Sequence, residues 1–236
     1  MSADAGSGRR EELASRLAEL DQRVVTACAA AGRPRTDVTV VVVTKTWPAG
    51  DVRLLADLGV ADVGENRDQE ARDKAAECAD LPLRWHFVGQ LQTNKARSVA
   101  RYADWVHSVD RSRLVDSLGA GAEAAGRVLT CLVQVALDDD AGRGGAPLDE
   151  VDALADAVAA ADSLRLGGVM GVAPLSAEPE AAFAELARIS ARLTLRHPGA
   201  TVISAGMSGD LEAAVAAGAT HLRVGTAVLG SRPPLG

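Results

Sequence analysis

No apolar run in this chain of 236 residues is long enough to cross a bilayer. The longest, such as Val38 to Val43, fall far short of the roughly 18 residues a span requires, so no membrane association is expected. Cysteine is scarce and unpaired: Cys28, Cys78 and Cys131 are odd in number, widely spaced and without a CxxC or Cys/His partner. Neither a disulfide framework nor a zinc site is indicated, and reduced thiols in a cytoplasmic setting fit best. Positive charge is also short. A formal net charge of -7 argues against a broad hold on nucleic acid or anionic lipid. Lysine is the scarcer cation: of 25 basic residues only Lys45, Lys74 and Lys95 are not Arg. Each surviving primary amine deserves scrutiny, because an amine can lose its proton and form a Schiff base and a guanidinium cannot.

What remains is the composition of a globular protein, 47% hydrophobic and 24% charged. Residues 1–10 are small and polar and read as a flexible tail, leaving 11–236 as one domain. Leu13, Leu17, Leu20, Val24 and Cys28 recur at spacings of three and four, which predicts an amphipathic helix over Glu11 to Ala31, ended by Gly32 and Pro34. The chain then alternates. Strand-length runs lie at Val38 to Thr44, Ala61 to Gly64, Trp85 to Val88, Trp105 to Ser108, Val128 to Leu137, Leu166 to Val172, Thr201 to Ala205 and His221 to Gly225. Helical stretches fall between them, among them Asn94 to Tyr102 and Pro179 to Arg196, with a short one after Thr226. Eight βα units predict a closed (β/α)8 TIM-like barrel with an extra N-terminal helix; an open doubly wound sheet is the alternative. Asp138 to Pro147, acidic and Gly-rich, reads as a loop after the fifth strand.

Such a barrel carries function at the carboxyl ends of its strands. Lys45 follows the first strand, where its amine is a candidate for imine formation with an aldehyde. The second strand ends in Gly64-Glu65-Asn66, where Asn66 either meets a ligand hydroxyl or caps the next helix. After the third, Gly89, Gln90, Gln92, Asn94 and Lys95 form a polar loop. His86, inside that strand, has no second His or carboxylate at ligand spacing, so no metal is expected. The loops after strands seven and eight, Gly206-Met207-Ser208-Gly209-Asp210 and Gly225-Thr226, both open helices with small residues and hydroxyls, which suits a phosphate or simple capping. Arg223, two residues before Gly225, points inward by strand alternation. An imine-forming Lys across the barrel from a phosphate cradle describes a holder of a phosphorylated aldehyde, pyridoxal 5'-phosphate (PLP) or a phosphosugar.

The motifs carry a resemblance. TKT at Thr44 to Thr46, GEN with QE at Gly64 to Glu70, WHFVGQLQTNK at Trp85 to Lys95, GMSGD at Gly206 to Asp210 and RVGTAVLGSR at Arg223 to Arg232 resemble the PLP homeostasis protein family, whose fold is similar to the N-terminal barrel of alanine racemase. The resemblance implies PLP held as a Schiff base on Lys45, with Met207, Ser208, Gly225 and Thr226 around its phosphate, Asn66 near the ring substituents and Arg223 facing the pyridine nitrogen. It also implies a role in vitamin B6 homeostasis without catalytic turnover, apo PLP-enzymes and amino acids being the partners in view. Three departures stand out: Trp47 where a second Lys is common, Ala205 within the SMGMS segment, and Arg143 where many members have Lys. The rival readings are a PLP-dependent racemase or decarboxylase and an imine-forming phosphosugar aldolase. A racemase needs a base on each face of the substrate carbon, and the one tyrosine, Tyr102, falls at the strand-start end of the barrel. With no long exposed apolar stripe, a monomer is expected.

Overall fold

Eight parallel strands close into a ring in chain order, as the alternation predicts. The computed structural model describes residues 2–138, 144–174 and 178–231. A long helix α1 (Ser2–Ala30) leads into β1 (Thr39–Val43), α2 (Ala49–Asp57), β2 (Asp62–Glu65), α3 (Asp68–Glu77), β3 (Arg84–Phe87), α4 (Ala96–Val99), β4 (Trp105–Val109) and α5 (Ser112–Ala124). The second half runs β5 (Leu129–Gln134), α6 (Val151–Ala160), β6 (Leu164–Met170), α7 (Pro179–Arg196), β7 (Val202–Ser204), α8 (Leu211–Ala216), β8 (His221–Val224) and α9 (Thr226–Leu229). The ring closes by β8 pairing with β1, Val41 opposite Arg223 and Val42 opposite Val224. Among the described residues no helix is long and apolar enough to cross a membrane.

Apolar side chains fill the layer between strands and helices: Val42, Val106, Val133 and Val224 from the sheet, Leu55, Leu118, Leu154 and Leu186 from the helices. Helix α1 buries Leu13, Leu20, Val24 and Cys28, with Leu17 half-buried, and lies against α8 and α9. Its start differs from expectation. Helix replaces the tail from Ser2, and Arg9 is pinned by an ion pair to Asp51 at 2.7 Å, a bond to the Leu229 carbonyl at 3.2 Å and a stack 4.6 Å from the Trp47 ring. The fourth helix is shorter than the pattern predicts. A 3-10 turn at Thr93–Lys95 precedes α4, and the following turn tightens to Arg101 N–H bonding Ser98 O and Tyr102 N–H bonding Val99 O. Of the loop after β5, residues 139–143 lie outside the described residues, Arg143 with them; Ala146 is tied back to β5 through the Gln134 carbonyl.

Inside the ring a polar set sits among apolar side chains such as Val41. Asp62, His86, His107, Ser204 and Arg223 are all buried there, which strand-by-strand periodicity does not reveal because each comes from a different strand. Burial pushes His86 and His107 below the ordinary imidazole range, and it takes His221 down to about 4, with His86 adding to the effect. These rings are neutral in the folded chain and protonate at pH about 6.5 when it unfolds. Their stabilisation is therefore intact above pH 6.5 and is lost as pH falls toward about 4. Thermal melts should show a midpoint flat between pH 8 and 7 and lower by on the order of 10 °C at pH 5. A midpoint unchanged from pH 7 to 5 would contradict neutral interior histidines.

Candidate functional site

Lys45 leaves the end of β1 as an exposed side chain, and its amine has no hydrogen bond or ion pair to any other described residue. The turn that carries it is strained. Thr46 has φ +70°, alone among the described non-glycine residues in the left-handed region, where a β-branched side chain costs about 1–3 kcal/mol. Two contacts impose that conformation. The Glu70 carboxylate accepts the Thr46 N–H, and Lys74 Nζ donates to the Thr44 carbonyl at 2.7 Å. Lys74 is itself buried between Glu65 Oε1 and Glu70 Oε1, each at 2.7 Å, while Thr44 Oγ1 donates to the same Glu65 oxygen at 2.6 Å. Burial pushes the Glu65 carboxyl above its usual range, with Lys74 and Thr44 pulling the other way. An ion cluster thus grips the backbone of the residues before and after Lys45.

Asn66 sits one strand over, directly after β2. Its capping role does not materialise: Arg67 is the N-cap of α3, and no side-chain cap bond is made there. Instead the Asn66 Oδ1 is buried and has no hydrogen-bond partner among the described residues. The third strand's loop holds it from behind, because Gly89 approaches so closely that a Cβ there would lie 2.3 Å from the Asn66 carbonyl oxygen.

On the other side of Lys45 the strand order matters. Because β8 pairs with β1, the Gly225-Thr226 turn adjoins the lysine turn and does not face it across the barrel, which corrects the expected arrangement. A Cβ on Gly225 would lie 3.2 Å from the Val43 carbonyl oxygen. Ser208, from the loop after β7, reaches the same place: its Oγ accepts the Ala227 N–H at 3.3 Å. Gly206, at φ +87°, makes the bend that starts this loop, and Met207 N–H is taken by Asp210 Oδ1 at 2.6 Å, leaving the Met207 side chain exposed. From α1, Arg23 braces the loop through the Ser208 carbonyl at 3.2 Å. Thr226 is exposed, Ser208 and Gly225 half-buried, and Arg223 buried below them. Burial pushes the Arg223 guanidinium down to about 10, so it remains a cation at neutral pH. The ends of β7, β8, β1 and β2 therefore form one arc carrying Ser208, Gly225, Thr226, Lys45 and Asn66.

Tyr102 lies outside this arc. Its hydroxyl is buried beside Asp68, in the first turn of α3 and so toward the carboxyl end of β2, not at the strand-start end expected, and burial, then the Asp68 and Glu65 charges, raises it above the usual phenol range. The lysine clamp was readable in part: Glu70 and Lys74 stand four apart on α3, a spacing that places them on one helix face. That the face points at the lysine turn was not readable. Lys74→Met keeps most of the side chain's length but strands Glu65 in the interior, and should cost about 3–5 kcal/mol, read as a lower denaturant midpoint. Thr46→Gly relieves the left-handed strain and should hold or raise that midpoint. A neutral Lys74→Met would contradict the clamp.

Comparison with known proteins places this geometry. Residues 16–233 match the family described as alanine racemase, N-terminal domain. A pyridoxal phosphate homeostasis protein of Corynebacterium glutamicum is 43% identical over 208 residues, covering 85% of this chain and 93% of the relative. One of the same name from Pseudomonas aeruginosa is 41% identical over 220 residues, covering 93% and 96%. Among solved structures, PipY of Synechococcus elongatus, determined with PLP bound, superposes with a TM-score of 0.81 at 36% identity, covering 92% of this chain and all of that one. The chain belongs to the pyridoxal phosphate homeostasis protein family, built on the alanine racemase N-terminal barrel.

Proposed function

We propose that this protein binds PLP at the carboxyl end of its barrel and serves the cell's PLP homeostasis as a cofactor holder, with no turnover of its own. The observation that carries the reading is the Ser208 to Ala227 contact at 3.3 Å, which joins two hydroxyl-bearing turns beside an unpaired amine. The donor set fits the cofactor. Ser208 Oγ, Thr226 Oγ1 and the backbone N–H groups of Gly225 and Thr226 would take the phosphate, with Met207 beside them. The buried, unpartnered Oδ1 of Asn66 would meet a ring substituent. Arg223 would face the pyridine nitrogen. When bound, PLP supplies an aldehyde that condenses with a primary amine, the role for which Lys45 is free.

The same residues argue against catalysis on an amino acid. Arg223 is a fixed cation, and a neighbouring cation disfavours protonation of the ring nitrogen, which leaves the ring a weak sink for electrons. The phenol of Tyr102 is packed beside Asp68 in the shell, where it cannot serve as a base at the mouth. A holder that neither consumes nor alters its ligand fits a cytoplasmic monomer that passes PLP to apo-enzymes, with free amino acids able to compete for the aldehyde.

Titrating the apo protein with PLP should produce a visible absorbance band that Lys45→Ala removes entirely. Ser208→Ala combined with Thr226→Val should weaken PLP binding by about 100-fold or more, the loss of two hydrogen bonds to a charged group, while leaving pyridoxal without phosphate nearly unaffected. A band that survives in Lys45→Ala would refute the assignment of the amine. Racemisation or decarboxylation of L- or D-amino acids well above the rate with free PLP would refute the non-enzymatic reading.

A further inference from the structure

A column of hydrogen-bonded side chains runs the length of the barrel interior, and only its top member, Arg223, has a part in the cofactor site. At the strand-start end Arg84 Nε and Nη2 donate to the two oxygens of Asp62, at 2.7 and 2.6 Å. Asp62 Oδ1 lies 2.9 Å from His86 Nε2, and His86 Nδ1 lies 2.9 Å from His107 Nε2. His107 Nδ1 is 2.9 Å from Ser204 Oγ, to which Arg223 Nη1 donates at 2.7 Å. Arg223 Nη2 is spent on the Gly171 carbonyl at 2.9 Å. β2, β3, β4, β7 and β8 all contribute to this one column.

The two ends decide every hydrogen between them. A guanidinium can only donate, so Ser204 Oγ accepts from Arg223 and keeps its own hydrogen and a second lone pair for the contact with His107 Nδ1. A carboxylate can only accept, so His86 carries its hydrogen on Nε2 and offers Nδ1 as an acceptor. His107 must then carry its hydrogen on Nε2, and its neutral ring accepts the Ser204 hydroxyl hydrogen at Nδ1. All hydrogens point from Arg223 toward Asp62. The neutral rings this requires match their burial, and although burial works to raise the Asp62 carboxyl, bonds from His86 and Arg84 hold it at about 2. Bonds aligned in one sense polarise one another, so the members act as a unit.

We propose that Ser204, His107, His86 and Asp62 are positioning residues for cofactor binding, a column anchored at the base of the barrel that holds Arg223 where it meets the ring nitrogen. This rests on the PLP reading above. Two of the five guanidinium donors are consumed below, which fixes the plane of the group and leaves the rest for the ligand side. Remove the Ser204 hydroxyl and both a buried donor and a buried acceptor lose their partner.

Ser204→Ala is the direct test, with Ser204→Thr as the variant that restores a hydroxyl and the 1-deaza analogue of PLP as the ligand that lacks the ring nitrogen. Ser204→Ala should bind PLP at least tenfold more weakly and shift the absorbance maximum of the bound form, Ser204→Thr should recover both, and affinity for the deaza analogue should hardly change. Long-range proton–nitrogen correlation spectra of the apo protein should show His86 and His107 neutral with Nε2–H at pH 7. Equal loss of PLP and analogue in Ser204→Ala, wild-type PLP affinity in that variant, or an Nδ1–H tautomer at either ring would overturn the column. If the wild-type protein binds no PLP while its tautomers are as stated, the cofactor reading has failed, and the positioning role falls with it.

Discussion

Closure of β8 onto β1 is the constraint on which the rest depends. Were the same chain-order sheet left open, its first and last strands would be opposite edges, and the lysine turn would stand far from the turns after β7 and β8. Closed, the register that sets Val42 against Val224 brings Lys45, Gly225 and Thr226 to one rim, and the Ser208 bond to Ala227 draws in the neighbouring loop. Small residues permit the approach, since a side chain at Gly225 would crowd the Val43 carbonyl and one at Gly89 would strike the backbone of Asn66.

Two buried polar assemblies then convert that rim into a defined arrangement. Outside the ring, between the β1 and β2 ends and α3, the Lys74 cluster holds an unfavourable Thr46 conformation in place and leaves the adjacent amine free. Inside the ring, the histidine column ties the Arg223 guanidinium to a carboxylate at the other end of the barrel. Buried ionic groups contribute little net stability compared with apolar packing, and what they provide here is orientation. The distinction between the two lysines follows from this: Lys74 has every donor engaged, Lys45 none.

Much of this was legible in the sequence. Each of the eight strands overlaps its expected run, four of them starting or ending one or two residues beyond it, because a strand buried on both faces needs an apolar segment whose length distinguishes it from a helix. The candidate site residues were drawn from strand ends for a different reason, namely that the fold confines function to one rim. What stayed hidden is contact between strands. His86 showed no partner at any sequence spacing, yet His107 and Asp62 meet it from the strands on either side of β3. Arg9 looked like tail because its one local partner, Glu12, is itself on the surface, while the partners that anchor it to the barrel, Asp51 and Trp47, are about forty residues away. The ring order of strands also fixed which rim loops are neighbours, a fact that strand identity alone does not contain.

The central claim is that one of three amines is chemically distinct. Reducing the PLP-loaded protein with borohydride and mapping the peptides by mass spectrometry tests it most directly. The account predicts a pyridoxyl mass on the peptide containing Lys45, with none on those containing Lys74, which is buried in its ion cluster, or Lys95, which is exposed after β3. A label on Lys95 or Lys74, or no label in protein that retains bound PLP, would contradict it.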